Sequence, residues 1–375
     1  PNTPMSWRKG VIELAGDYKI DKLNSINVTY NNEQMRRWCN NYATGLNVSS
    51  GTAGYYPAGT ACVTANNDST NAVNLAYKLK ASEQVTFKLA GGYSMRQVDW
   101  NQNAIAAIVD RLSGYTTAIG QNAGDFIGFQ PYFEASLNQA KVKGSANWQA
   151  SDQLSFNLSG QLTNDTYPNN AYGMQNGYGW SLSLDSNYNW SETGTAYVYA
   201  TEQQTNRVMT NAASISATGA STSATNVGTF TNTQNNMTTT VGVGAKEKGL
   251  MSGKLTVAGD AMFSFANTNY QTGVNPAPGS TYNCANPGPA TTATMTCGNV
   301  PSIVNNLYQL KASGMYQVDK HSKVALTYLY QHLYSNDYYY NGYQVGYSPT
   351  ALLPTMQSNP SYSVNLVSAK YIYDF

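Results

Sequence analysis

Few side chains in this sequence are equipped for chemistry. There are two histidines, His321 and His332. His321 follows Asp319 and Lys320 in an expected turn. A metal site needs several convergent donors, so a solvated turn residue is the simpler reading. His332 falls at the expected outer end of a strand. With an Asp or Ser partner it would suit a hydrolase, but such sites are defined by converging groups, and the sequence sets none beside it. The chain is read as non-enzymatic, with no catalytic, cofactor-binding or metal-binding residue of its own.

Four cysteines fall into two local pairs. Cys39 and Cys62 bracket a Gly/Ala/Thr-rich stretch, and Cys284 and Cys297 a Pro/Gly/Thr-rich one. Neither pair has the C-x-x-C spacing of a zinc site, and no C-x-x-C-H occurs, so no covalent c-type haem belongs to this chain. Two disulfides stapling long loops in an oxidising compartment is the favoured reading, with free thiols the alternative.

The charges exclude another class. Lys and Arg number 21 and Asp and Glu 20, a net charge of +1 without a long basic run, so nucleic acid is not an expected partner. Only 11% of residues are charged, and 30 are Tyr. Mean hydropathy is −0.41, and no window offers the ~20 apolar residues of a transmembrane helix. A transmembrane β-barrel reconciles these facts, because only alternate residues touch lipid. A disordered chain would carry fewer aromatics and more charge. Pro1, Asn2, Thr3 and Pro4 open the chain without a charged segment or an apolar run. A signal peptide has both, so a mature or truncated chain is expected.

The elements that must position these residues read as strands. Leu154, Phe156, Leu158 and Leu162 alternate with Ser155, Asn157, Ser159 and Gln161, the period of a sheet with two unlike faces. Trp180, Leu182, Leu184, Tyr188 and Trp190 repeat the pattern with Trp at both ends. That length fits one crossing of ~9–11 tilted residues. Similar runs lie at 73–80, 85–93, 255–265 and 324–330, and the chain closes on Tyr371, Tyr373 and Phe375. Trp148, Trp180, Tyr188, Trp190, Tyr371, Tyr373 and Phe375 are assigned to the aromatic belts at the membrane interfaces. Glu13, Asp17, Lys78, Lys80, Lys88, Asp185 and Asp260 fall on the opposite, lumen-facing positions. Their mixed signs suit a protein plug better than an ion-selective pore. Glycines inside strands, such as Gly242 and Gly244, read as points of curvature.

The connections decide between a barrel and a soluble sandwich. Short turns fall near 20–22, 81–83, 150–152, 191–194, 248–249 and 318–320, and long polar stretches near 38–70, 100–128, 165–178, 210–235, 270–304 and 335–360. Short periplasmic turns alternating with long outer loops are the pattern of an outer-membrane barrel. We expect an all-β, antiparallel transmembrane barrel forming a single domain over 1–375. It holds about 13 strands; the odd number means either a missed strand or, the favoured reading, that the chain is the C-terminal part of a larger barrel. The bacterial outer membrane is the expected location.

Several stretches resemble the MtrB/PioB family of outer-membrane barrels associated with decahaem c-type cytochromes. They are Pro1-Asn2-Thr3-Pro4-Met5-Ser6-Trp7, the segments 14–18 and 21–23, Pro131-Tyr132-Phe133-Glu134-Ala135-Ser136, and a longer run through 146–154, 162–168, 172–173, 180–188 and 191–197. The resemblance implies a large barrel that sheathes a periplasmic multihaem cytochrome in its lumen. An extracellular multihaem cytochrome would dock at the outer mouth. Haem c would then be carried by the partner, electrons would cross along its haems, and outer-membrane lipid would surround the wall. Tyr338, Tyr339, Tyr340 and Tyr343 lie in an expected outer loop whose composition suits adaptable protein contacts. Arg36 and Arg37 sit near the outer rim, where a partner contact competes with lipopolysaccharide or solvent. A general diffusion porin is the second reading, and an outer-membrane enzyme the third.

Overall fold

Period-2 patterning over so much of the chain dictates one wide sheet, and the computed structural model has that form. It describes residues 5–39, 65–100, 135–168, 170, 173–212, 228–276, 298–299, 301–337 and 361–374. The strands are β1 (Met5–Lys19), β2 (Asn24–Cys39), β3 (Ala65–Lys80), β4 (Val85–Trp100), β5 (Leu137–Gln149), β6 (Leu154–Thr166) and β7 (Gly173–Asn189). They continue as β8 (Gly194–Ala212), β9 (Gly228–Gly249), β10 (Leu255–Pro276), the two-residue β11 (Gly298–Asn299), β12 (Ile303–Gln317), β13 (Ser322–Asn336) and β14 (Tyr362–Tyr373). Thirteen of them form one antiparallel meander in chain order, and β11 pairs with β10 off that path. Among the described residues β1 pairs with β2 alone and β14 with β13 alone. No helix among the described residues is long and apolar enough to cross a membrane.

The sheet builds almost no core of its own. Among the described residues only Ala65, Ala135 and Met174 are buried apolar side chains, while Leu14 is 63% and Leu326 56% exposed. The register explains this. Leu79, Phe87, Ala146, Leu158, Leu184, Ala200, Val241 and Phe263 stand opposite one another in successive pairs, so they form one row on one face. Ser145, Ser159, Ser183, Thr201, Thr240 and Ser264 form a row on the other. An apolar face of this extent is stable only against an apolar medium.

The short turns share a device. A side-chain oxygen three residues before the start of the returning strand accepts backbone N–H groups that the turn leaves free. Asp21 accepts from Leu23 and Asn24, each at 2.7 Å, and Asp319 from His321 and Ser322, each at 2.8 Å. Ser82, Ser151 and Ser191 do the same for Val85, Leu154 and Thr193 at 3.0, 3.1 and 3.2 Å. The β9–β10 turn differs. Gly249 and Gly253 take φ of 78° and 88°, and Met251 and Ser252 between them are also left-handed, at 52° and 59°. Glycine carries such φ without a Cβ penalty, whereas the two central residues are strained.

At the other end the strands outrun the sequence reading. Residues 65–70, 173–178, 228–235 and 270–276 are paired strand rather than loop, and the connection expected at 165–178 shrinks to 167–172. These stretches are runs of Asn, Thr, Ser, Gln and Gly. Beyond the lipid both faces of a strand meet water, so no apolar alternation marks it. Cys39 ends β2, its backbone opposite Met5. Cys62, Cys284, Cys297, the Tyr338–Tyr340 run, Tyr343 and Phe375 lie outside the described residues.

Candidate functional site

The face opposite the apolar rows is where this chain can meet a polar partner, and register assembles it. Glu13 stands opposite Asn31, Asp17 opposite Asn27, Lys78 opposite Lys88 and Lys80 opposite Thr86. Asp185 faces Asn157 and Tyr199, and Asp260 faces Gly244 and Lys311. All seven of these charged residues share the polar face, and signs mix on it: Lys311 faces Asp260, and Lys9 pairs with Glu33 at 2.8 Å. Lysines gather on β3, β4 and β5, where Lys141 and Lys143 join Lys78, Lys80 and Lys88. Three of the acids are held by neutral donors. Asn27 donates to Asp17 at 2.9 Å, Asn157 to Asp185 at 3.3 Å and the Tyr197 hydroxyl to Asp260 at 2.8 Å. Alternation fixes the face of each residue, whereas which charges become neighbours depends on pairing between distant strands.

A second feature of this face is assembled by register between two strands. Tyr197 and Tyr199 of β8 stack at 6.4 Å and 19°, their rings lying over Gly244 and Gly242 of β9. A Cβ added at Gly244 would sit 2.2 Å from Tyr197 Cζ, and one at Gly242 2.2 Å from Tyr199 Cζ. These glycines therefore do more than curve the sheet: they leave room for two rings laid across β9, and Tyr197 reaches Asp260 on β10. The sequence signal is a Tyr-x-Tyr and a Gly-x-Gly on strands whose register makes them opposite.

The aromatic residues assigned to the interface belts, Phe375 apart, stand on the apolar face. Trp148 stacks on Phe156 at 5.4 Å, and Tyr188 continues that rim opposite Leu154. Trp180 donates its indole N–H to Gln204 at 2.9 Å, and Trp190 donates to Glu247 at 2.7 Å. Residues 180 and 190 point the same way; ten residues at ~3.3 Å, tilted about 40°, rise ~25 Å, the height of a barrel's apolar band. Tyr371 donates to Ser322 at 3.0 Å, and Tyr373 stands opposite the same serine. Beyond the Tyr30 level the outward face turns polar: Tyr30 and Asn32 both donate to Asn71 at 2.8 Å, and Arg36 stands opposite Arg8. Arg37 points to the other face and pairs with Asp68 at 2.7 Å.

The histidines do not converge on anything. His321 Nδ1 lies 3.0 Å from the Asp374 carbonyl in its turn. His332 Nδ1 lies 2.7 Å from Ser363 Oγ, on the outward face. Among the described residues no carboxylate hydrogen-bonds that imidazole, and no cluster of metal-binding side chains occurs.

Comparison with known proteins agrees with this geometry. The family described as "Putative outer membrane beta-barrel porin, MtrB/PioB" matches residues 1–375. Among curated proteins no sequence matches. Of solved structures, the ferric-catecholate import receptor Fiu of E. coli superposes with a TM-score of 0.53 at 8% identity, over 99% of this chain and 55% of that one. The ferric yersiniabactin uptake receptor FyuA of Yersinia pestis gives 0.46 at 11% identity, over 88% and 53%. The ferric enterobactin receptor PfeA of Pseudomonas aeruginosa gives 0.44 at 12% identity, over 72% and 38%. This chain thus spans about half the length of such receptors or less, and Fiu shows its fold to be outer-membrane barrel wall. With the whole chain matched, the protein belongs to the MtrB/PioB family of outer-membrane β-barrel porins.

Proposed function

We propose that this chain is wall of a barrel that sheathes and positions a multihaem c-type cytochrome, carrying electrons across the outer membrane. The observation that supports it is a polar face thirteen strands wide on which the described residues build no plug. At ~4.8 Å per strand and a tilt of about 40°, a barrel with twice as many strands is about 50 Å across. That interior admits a folded cytochrome. Lipid cannot host a chain of charged, solvated redox centres, and a closed barrel satisfies every backbone hydrogen bond while excluding lipid from them. With two histidines and no C-x-x-C-H in this sequence, haems carried by the partner fit this reading better than haems held by this chain. Docking of an extracellular cytochrome at the outer mouth, with Tyr338, Tyr339, Tyr340 and Tyr343 in contact, belongs to the same proposal. Deletion of 336–348 with unchanged binding of that cytochrome would remove this part of it.

The test is purification of the full-length protein from its native membrane in mild detergent, with a haem spectrum and a subunit gel. Stoichiometric c-type haem on a second polypeptide is expected. A colourless, intact barrel from cells making multihaem cytochromes would overturn the sheath. It would favour an open aqueous channel, the reading that the row of serines and threonines on the polar face also suits.

A further inference from the structure

The polar face holds a hollow of about 410 Å³ lined by Lys88, Lys143, Ser145, Ser159, Gln161 and Ser181. Lys78 stands directly opposite Lys88, and Lys143 lies one pleat from Ser145, the partner of Lys88 on β5. All three lysines are exposed, and none forms an ion pair among the described residues. Like charges directly opposite one another oppose pairing, so the arrangement is poor for the sheet alone. The acids nearest on this face are Asp17, two strands from Lys78, and Asp165, four residues along β6 from the partner of Lys143. Those offsets are about 12 and 14 Å between backbones, beyond a Debye length of ~8 Å. Both carboxylates are already engaged, Asp17 by Asn27 and Asp165 by Gln139, each at 2.9 Å.

We propose that this hollow is where the carboxylate-rich face of the lumenal protein docks. The proposal rests on the sheath reading above. Lysine ammoniums and serine hydroxyls are donors suited to carboxylates. The three ammoniums spread over roughly 12 Å of wall, too wide for one small anion and suited to several carboxylates fixed on a protein surface. Complementary charge at such a contact sets orientation and register of the partner, which an ordered row of haems requires.

The test is a Lys78→Glu/Lys88→Glu/Lys143→Glu triple variant of the full-length protein in its native host, beside a Lys78→Arg/Lys88→Arg/Lys143→Arg triple and a Lys246→Glu/Lys370→Glu control. Folding is verified by the mobility shift of unheated barrel on a gel, and haem per barrel is read after purification at rising salt. The expected result is at least a tenfold loss of haem in the Glu triple, with the Arg triple and the control retaining it. Wild-type retention should itself fall as salt rises. A folded Glu triple with wild-type haem overturns the docking site and leaves the sheath standing. A wild-type barrel without haem overturns both. If the Glu triple does not fold, wild-type and Arg-triple retention independent of salt up to 1 M overturns the site.

Discussion

The packing of Tyr197 over Gly244 makes a sharp prediction. Gly244→Ala places a methyl 2.2 Å from Tyr197 Cζ and 2.3 Å from its hydroxyl oxygen. Carbon contacts settle near 3.5–4.0 Å, so the ring must move by more than an ångström. That movement breaks the 2.8 Å bond to Asp260. A hydrogen bond to a charged acceptor contributes about 1.5–3 kcal/mol, and lost ring contact adds to this. Replacing a strand glycine by alanine returns about 0.5–1 kcal/mol. The net cost of Gly244→Ala is about 1.5–3 kcal/mol with Tyr197 present. In a Tyr197→Ala background the methyl meets no ring, so the same change should be neutral or stabilising by about 0.5 kcal/mol. The coupling is then ~2–3 kcal/mol, well above the few tenths expected of independent sites. Urea unfolding in lipid vesicles, followed by tryptophan fluorescence and shown to be reversible, measures all four corners of the cycle. An equal cost of Gly244→Ala with and without Tyr197 would refute the reasoning.

Three further outcomes are expected. Leu184→Arg, midway between Trp180 and Trp190 on the apolar face, should cost about 2–4 kcal/mol of folding into vesicles, whereas Ser183→Arg on the polar face should cost little; equal costs would reverse the face assignment. Asp21 is held below its ordinary pKa of 3.8 first by the Asn24 side chain and then by the Leu23 N–H, and Asp319 is lowered chiefly by the His321 N–H. Both carboxylates bind protons more weakly folded than unfolded. Their contribution is full above pH 3.8 and is lost as pH falls through the lower folded values. The urea midpoint of wild type should therefore drop on acidification below about pH 4, and an Asp21→Asn/Asp319→Asn variant should show a flatter acid limb. Trp190→Phe removes the indole donor to Glu247 and should cost about 1 kcal/mol, since Glu247 keeps the Thr193 hydroxyl at 2.6 Å; an unchanged urea midpoint would mean that the indole bond adds no stability.

The polar extensions of the strands and the Tyr–Gly seats were the parts least legible in sequence. In 228–235 both alternating sets are Thr, Asn, Gln, Gly or Phe, and a strand with water on both sides has no pattern to display. Tyr197, Gly244 and Asp260 are spread over sixty residues, and each alone has an ordinary reading. Lys78 and Lys88 are near in sequence and were assigned one face, yet Lys143 joins them only through the β4–β5 pairing.

By itself the sequence determined what each strand residue faces, because the Cβ direction alternates with every residue and needs no knowledge of neighbours. That local rule yielded the apolar wall, its Trp and Tyr rims, and the polar lining. The tertiary structure alone decided who stands beside whom: three lysines gathered around a serine-lined hollow, acids held by amides and a phenol, and two tyrosine rings laid on glycines. The physical reason is register. Pairing between strands is non-local, fixed by the summed fit of both faces and the turns, and a shift of one residue would reverse every side chain.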